Sequence, residues 1–233
     1  MKLALLGYGK MGKTIERLAL DRGHIIVFKS SSSLSEGNLE EADAAIEFST
    51  PEAAVKNLKD CFQAKIPVVS GTTGWLDHYD EIIKLCEESN GSFIYASNFS
   101  VGVNLFFNLN EKLAKMMGTW KNYNVSISEI HHTQKKDAPS GTAISIAEGI
   151  LKHSEKKEWK LNGTKEGEVS ITAERINDVK GTHVVSYTSE IDTISIKHEA
   201  HNRNGFAIGA ILAAEWLQTK TGIFTMKDVL GIG

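Results

Sequence analysis

At 233 residues, 41% hydrophobic and 24% charged, the chain has the length of one domain with a sizeable insertion and the composition of an ordinary globular protein. A net charge of −3 offers no basis for a nucleic-acid or anionic-membrane partner, so any anionic ligand must be held by local geometry. Cys61 and Cys86 fall at apolar positions of helical patterns and read as buried thiols of a reduced, cytosolic protein.

The start, MKLALLGYGK, is too short in apolar residues for a secretory signal, and no stretch approaches the ~18 apolar residues of a membrane span. A cytoplasmic location without membrane attachment is therefore expected. Residues 2–6 are predicted to form a fully buried strand. Residues 10–22 carry Met11, Ile15, Leu18 and Ala19 at helical spacing until Gly23 stops the pattern. Further strands are expected at 25–28, 44–48, 67–70 and 93–96. Helices start at Pro51, behind Ser49 and Thr50, and run over 77–89. Strand and helix alternate with short loops through residue 97, which is the pattern of a Rossmann-type, doubly wound parallel sheet in an α/β protein.

The rhythm then changes. A long apolar helix is expected over 102–117, a strand over 125–130, and a helix of roughly ten residues from Thr142. Strands with polar–apolar alternation follow at 168–173, 182–188 and 193–199, without intervening helices. They predict a mixed or antiparallel sheet in a second, α+β domain. A last helix, about 206–218, and a short tail close the chain. The expected division is a nucleotide-type domain over 1–102, a smaller α+β domain over 103–202, and a segment 203–233 that returns to the first domain.

Gly7-Tyr8-Gly9-Lys10-Met11-Gly12 is a G-x-G-x-x-G turn between a strand and a helix. The first glycine permits the tight turn, the second lets a pyrophosphate approach the backbone, and the third lets helix and strand pack closely. Domains that bind NAD usually carry an acid at the end of the second strand to hold the ribose 2′-hydroxyl. Here Phe28 is followed by Lys29 and Ser30 to Ser33, with no acid before Glu36. A lysine and hydroxyls suit a 2′-phosphate, so NADPH is expected over NADH, with Lys29 and Ser30 among its contacts. The loops Gly71-Thr72-Thr73-Gly74 and 98–104 follow the fourth and fifth strands. Both are expected to line the nicotinamide region, because open α/β sheets bind ligands at the carboxyl ends of their strands.

The densest chemistry lies in EIHHTQKKDAPSGTA, residues 129–143. Neighbours on a strand face opposite ways, so one of His131 and His132 faces a ligand while the other orients it or touches its edge. Asp137 and the histidines raise the question of a metal, but adjacent histidines chelate poorly on a strand, and none is expected. Ser140 can cap the following helix, and Gly141 lets an anion reach its free N–H groups. Lysine, imidazole and a helix start together suit a small carboxylate substrate that receives hydride from a nicotinamide and a proton from His or Lys.

With GYGKMG at 7–12, AIEFSTPEA at 45–53, GTTG at 71–74, NFSVGVN at 98–104, EIHHTQKKDAPSGTA at 129–143, DVKGTH at 178–183 and the ending HEAHNRNGFAIGA, the chain resembles the 4-hydroxy-tetrahydrodipicolinate reductases (dihydrodipicolinate reductases) of lysine biosynthesis. The resemblance implies reduction of the cyclic product of pyruvate and aspartate semialdehyde to tetrahydrodipicolinate, on the diaminopimelate route. It implies His131 as general acid and Lys135 as the lysine that assists protonation and holds substrate. His132 would contact one substrate carboxylate, and Gly141 and Thr142 the other. Gly7, Tyr8, Gly9, Lys10, Met11 and Gly12 would hold the dinucleotide with Gly71, Thr72, Thr73, Ala96, Ser97, Asn98 and Phe99. A homotetramer that pairs the sheets of its second domains is also implied. The chain departs from many members where it lacks the acid after the second strand, and where Arg175-Ile-Asn-Asp replaces R-G-G-D. Two other readings share the glycine turn: a catalytically silent dinucleotide-binding redox regulator, and a dehydrogenase of the aspartate or homoserine type. The first has no use for the His-Lys-Thr set, and the His-His-Lys-Pro-Ser-Gly-Thr run argues against the second.

Overall fold

The computed structural model describes residues 1–163, 165–202 and 204–232. In chain order the elements are β1 (Lys2–Leu6), α1 (Lys10–Asp21), β2 (Ile25–Ser30), β3 (Ser35–Gly37), β4 (Ala44–Glu47), α2 (Pro51–Gln63), β5 (Val68–Ser70), α3 (Tyr79–Glu88) and β6 (Ser92–Tyr95). Then follow α4 (Val101–Met117), β7 (Asn124–His131), α5 (Gly141–Leu151), β8 (Glu158–Leu161), β9 (Glu168–Arg175), β10 (Thr182–Thr188) and β11 (Thr193–Glu199). The chain ends with α6 (Asn204–Leu217), β12 (Gly222–Phe224) and α7 (Met226–Leu230). Two compact units result: Met1–Val101 with Asn204–Gly233, and Gly102–Arg203.

The first unit is built on a seven-stranded sheet of order β12-β6-β5-β4-β1-β2-β3. Its pairs are parallel except for β2 with β3. Both faces of β1 are buried. Leu3 and Leu5 join a cluster with Ile15 and Ala19 of α1 and the small residues of α6, while Ala4 and Leu6 join one with Leu58, Cys61, Ile82 and Cys86 of α2 and α3. That burial on both sides explains why β1 reads as a continuous apolar run instead of an alternation. The strand order reverses between β1 and β4, so the turn after β1 opens at a topological switch point, where such sheets bind ligands.

The second unit has a five-stranded sheet of order β11-β10-β7-β9-β8. Pairs β10–β11 and β10–β7 are antiparallel, and β7–β9 and β8–β9 are parallel, so the sheet is mixed. Helices α4 and α5 bury Phe106, Ala114, Ile146, Ala147 and Ile150 against Val125, Ile127, Val169, Ile171, Val185 and Tyr187.

Three pieces differ from expectation. The short tail after α6 is a strand and a helix, with β12 extending the first sheet beside β6. β8 forms inside a stretch that carried no strong pattern, because its side chains alternate over four residues only. β2 continues through Ser30, beyond its expected end at Phe28, so Lys29 and Ser30 are strand residues. Both cysteines are buried free thiols, as expected. Among the described residues no helix is long and apolar enough to cross a membrane.

Candidate active site

The glycine turn of the first unit divides into two sterically demanded positions and one open one. Gly7 has φ +103°, and a Cβ there would come within 2.0 Å of the Phe48 carbonyl oxygen. A Cβ on Gly12 would stand 2.3 Å from the Gly7 carbonyl oxygen. A Cβ on Gly9 would meet nothing within 4 Å. Gly9 is also the N-cap of α1, makes no side-chain capping bond, and is followed by no acid in the first turn. Free N–H groups at a positive helix end, with clear space above them, fit the pyrophosphate of a dinucleotide.

The residues around the turn are tied to it. Gly7 N–H and Tyr8 N–H both donate to the Ser30 carbonyl, at 2.9 and 2.8 Å, so Ser30 acts here through its backbone. Lys29 Nζ lies 4.9 Å from the centre of the Tyr8 ring, 3.3 Å from Glu16 Oε1 and 3.7 Å from Glu36 Oε2. Glu36, eight positions from Phe28 in sequence, is brought opposite Lys29 by the β2–β3 pairing. Lys10 is exposed at the start of α1, and Met11 packs against the core.

A buried acid not singled out in the sequence organises the neighbouring strand ends. Glu47, fully buried at the end of β4, accepts hydrogen bonds from Ser49 N–H (3.0 Å), Ser70 Oγ (2.7 Å), Thr72 Oγ1 (2.9 Å) and the Ser49 hydroxyl. The Thr72 side chain is thus occupied inside the protein, whereas Thr73 and Gly74 are exposed. Gly71 packs edge-close on the Phe48 ring, where a Cβ would lie 2.2 Å away. Beyond β6, Ala96 and Asn98 are half-buried and Ser97 is exposed. Asn98 Oδ1 caps the Ser100 N–H at 2.9 Å. The Phe99 side chain is a core residue, 5.7 Å from the Phe48 ring, and so offers its backbone alone to a ligand.

In the second unit the chemistry follows from strand register. Along β7 the inward positions are Val125, Ile127, Glu129 and His131, so the face that begins as apolar core ends as acid and imidazole. Antiparallel pairing sets His183 of β10 opposite Glu129, and parallel pairing sets Arg175 of β9 beside His131. Because β7 ends at His131, His132 escapes the alternation and lies half-buried at the start of the following loop. Arg175 clamps that loop: its guanidinium donates to the carbonyls of Lys135 (3.3 Å) and Asp137 (2.6 Å). Lys135, half-buried, pairs with Asp137 Oδ2 at 2.8 Å, while Lys136 is exposed. At the far end Ser140 caps α5, its Oγ accepting the Ala143 N–H at 3.1 Å. The earlier N–H groups, on Gly141 and Thr142, have no protein acceptor among the described residues, and the space over Gly141 is open. This helix start carries no acid in its first turn and suits a carboxylate.

Glu129 joins these pieces. Its Oε1 accepts the Ser140 N–H at 3.0 Å and Arg175 Nη2 at 3.3 Å, and its Oε2 lies 3.5 Å from His131 Nδ1 and 3.6 Å from His183 Nε2. Burial opposes charge on Glu129 but is outweighed by His183, by the hydroxyl and N–H of Ser140 and by His131, which hold it down to about 2. Burial lowers His131 to about 4 against the upward pull of Glu129, with His183, Lys135 and Arg175 adding to the fall. At neutral pH the free protein therefore holds an ionised Glu129 and a neutral His131. Glu129, His131 and His183 are near enough to share a metal ion. Arg175 on the same carboxylate and Ser140 Oγ, 3.2 Å from His183 Nε2, make a hydrogen-bonded cluster the better account of these distances.

The sequence-predicted residues His131, His132, Lys135, Gly141 and Thr142 thus fall on one strand end, one loop and one helix start of the second unit. Glu129 and His183 were quoted only as parts of motifs, and Arg175 as a departure. The inward alternation 125-127-129-131 was the signal that could have found Glu129. His183 and Arg175 needed the strand pairing. Arg203 of the HEAHNRNGFAIGA stretch lies outside the described residues.

Comparison with known proteins shows the family. Two family models match, described as dihydrodipicolinate reductase, N-terminus, over residues 1–99 and dihydrodipicolinate reductase, C-terminus, over residues 102–230. A 4-hydroxy-tetrahydrodipicolinate reductase of Christiangramia forsetii is 55% identical over 233 residues, covering 99% of this chain and 98% of that protein. One from Neisseria gonorrhoeae is 33% identical over 229 residues, covering 93% and 84%. Among solved structures, the dipicolinate-bound dihydrodipicolinate reductase from Paenisporosarcina sp. TG-14 superposes with a TM-score of 0.77 at 22% identity, over 97% of each chain, a likeness of fold.

Proposed function

The chain belongs to the dihydrodipicolinate reductase family, and from that premise we propose that it reduces the cyclic dicarboxylate made from pyruvate and aspartate semialdehyde to tetrahydrodipicolinate, with NADPH or NADH as hydride donor. The reaction belongs to the diaminopimelate route of lysine synthesis. The single observation that carries the reading is the company His131 keeps: an inward imidazole, a lysine and an open helix start within one segment of the second unit.

The dinucleotide supplies a hydride when bound, and the backbone from Gly7 to Gly12 is built to hold its pyrophosphate. Gly141 and Thr142 receive one substrate carboxylate, and His132 contacts the other. Lys135, held by Asp137 in the free protein, turns to the dicarboxylate and assists protonation. His131 is neutral in the free protein, and the negative charge of an adjacent dicarboxylate raises its affinity for a proton. Protonation of the general acid is thereby coupled to the arrival of the substrate. A regulator that merely sensed the dinucleotide would have no need of this cluster.

NADPH is the preferred donor in this reading, because Lys29 lies near the end of β2 beside the turn and four serines follow it. The preference is modest, since Glu16 and Glu36 share the lysine's charge and Glu36 would repel a 2′-phosphate. The outward face of the second sheet, with Ile194 exposed on the edge strand β11, is the surface on which subunits would pair into a tetramer. Two buried free thiols suit the reducing cytoplasm, where we place the enzyme. The decisive assay follows oxidation of NADPH and of NADH with freshly made synthase product. Turnover with both and a higher kcat/KM for NADPH are expected. Absence of turnover would remove the activity, and a strong NADH preference would remove the role of Lys29.

A further inference from the structure

The cluster beneath His131 contains a carboxylate that the reaction as described does not use. Glu129 is fully buried, and a buried carboxylate is retained at a strand end only if its partners compensate for lost water. Two of its partners tie it to the segment that holds the substrate: Ser140, the cap of α5, and Arg175 of β9, which grips the carbonyls of Lys135 and Asp137. The remaining oxygen, Oε2, lies 3.5 Å from His131 Nδ1 and 3.6 Å from His183 Nε2, at ion-pair distance, and neither Oε2 nor His131 Nδ1 makes a hydrogen bond among the described residues. On the other side of the ring, the neighbour of Nε2 is Gly181, at φ +153°, where a Cβ would stand 3.3 Å from that nitrogen. One imidazole nitrogen is therefore aimed at an anion, and the other at a position kept free of a side chain.

We propose that Glu129 is a positioning residue of the reduction: it keeps a proton on Nδ1 of His131, so that Nε2 is the nitrogen that delivers the proton to the substrate, and it fixes the carboxylate-binding start of α5 in the same register. The inference rests on the reading of His131 as proton donor. In the step, the substrate, its 4-hydroxyl having left as water, gains a hydride whose electron pair comes from the C–H bond of the reduced dinucleotide. It gains a proton from the Nε2–H bond, whose electrons stay on the imidazole. The substrate is reduced, the dinucleotide is oxidised, and His131 is left neutral with its proton on Nδ1 against Glu129. An ionised carboxylate stabilises the imidazolium before that step, as the orienting acid of a Ser-His-Asp triad does. The groups facing His131 are Glu129 from its own strand, His183 from β10, Arg175 from β9, and Lys135 with its partner Asp137 from the loop. Among these, Glu129 is the anion at ion-pair distance from Nδ1 of the ring.

Glu129→Gln in the full chain tests this, since it keeps the shape and removes the charge. The kcat should fall by about 10²-fold, with KM for the dicarboxylate and Kd for NADPH within about 3-fold. The high-pH limb of the kcat profile should move to lower pH, because the imidazolium loses its counter-charge, and Glu129→Asp should restore part of the rate. A folded Glu129→Gln protein with unchanged kcat and an unmoved limb overturns the proposal. Nitrogen-15 histidine spectra of the wild type decide it without relying on that variant's folding. The His131 signals, assigned by their loss in His131→Gln, should report the Nδ1–H tautomer at pH 7, and the Nε2–H tautomer would overturn the assignment. If His131→Gln itself keeps full kcat, the donor reading fails and this inference falls with it. Glu129→Gln alone being silent leaves that reading standing.

Discussion

In the first unit the candidate ligand surface is backbone: glycines without side chains, free N–H groups, and the Ser30 carbonyl that ties the turn to the end of β2. In the second unit it is side chains: an imidazole, a lysine and a helix cap set over a buried acid–base cluster. The contrast teaches where each surface stores its specificity. A backbone cradle is specified by what must be absent, and a proton-transfer site by charges that must face one another. The first is sensitive to a methyl group and indifferent to pH, while the second tolerates small changes of shape and depends on titration.

The sharpest test of this contrast is Lys135→Ala. Removal of its cation should lower kcat by roughly 10²–10⁴-fold and leave NADPH affinity nearly unchanged. An equal loss in dinucleotide binding would mean that the two surfaces are not functionally separate. Next come two substitutions in one turn. Gly12→Ala forces a Cβ to within 2.3 Å of a backbone oxygen and should cost about 3 kcal/mol in urea unfolding. Gly9→Ala meets nothing within 4 Å and should melt like the wild type, yet bind NADPH at least about 10-fold more weakly. Normal binding by Gly9→Ala would show that no ligand approaches there.

The smallest effect is on acid stability. Glu129 holds its proton less tightly folded than unfolded, so its contribution is complete above about 4.5 and is lost as pH falls toward about 2. His131 also has a depressed value, so the unfolded chain takes up a proton below 6.5 that the folded chain refuses until about 4. Stability should therefore decline from pH 6.5 downward, by at most about 1.4 kcal/mol per pH unit for each group. His131→Gln should flatten the part between 6.5 and 4. It should not abolish it, because burial also lowers His198. An unchanged slope in urea titrations at pH 7, 6 and 5 would contradict the buried, neutral His131.

The alternation of strand and helix through residue 97, the glycine turn and the polar segment at 129–143 were all legible in the sequence. Each is a local matter, decided by the period of apolar residues or by the conformations glycine alone permits. The tail was not, because β12 is three residues long and is a strand only because the edge of β6 was available to it. Glu36 beside Lys29, His183 across from Glu129 and Arg175 beside His131 are likewise products of pairing between distant strands. By itself, then, the sequence determined which residues could do the chemistry, since side-chain type and local spacing are written in it directly. Which nitrogen faces which carboxylate was decided by the tertiary structure alone, because register and burial, not residue type, set how tightly a buried group holds its proton.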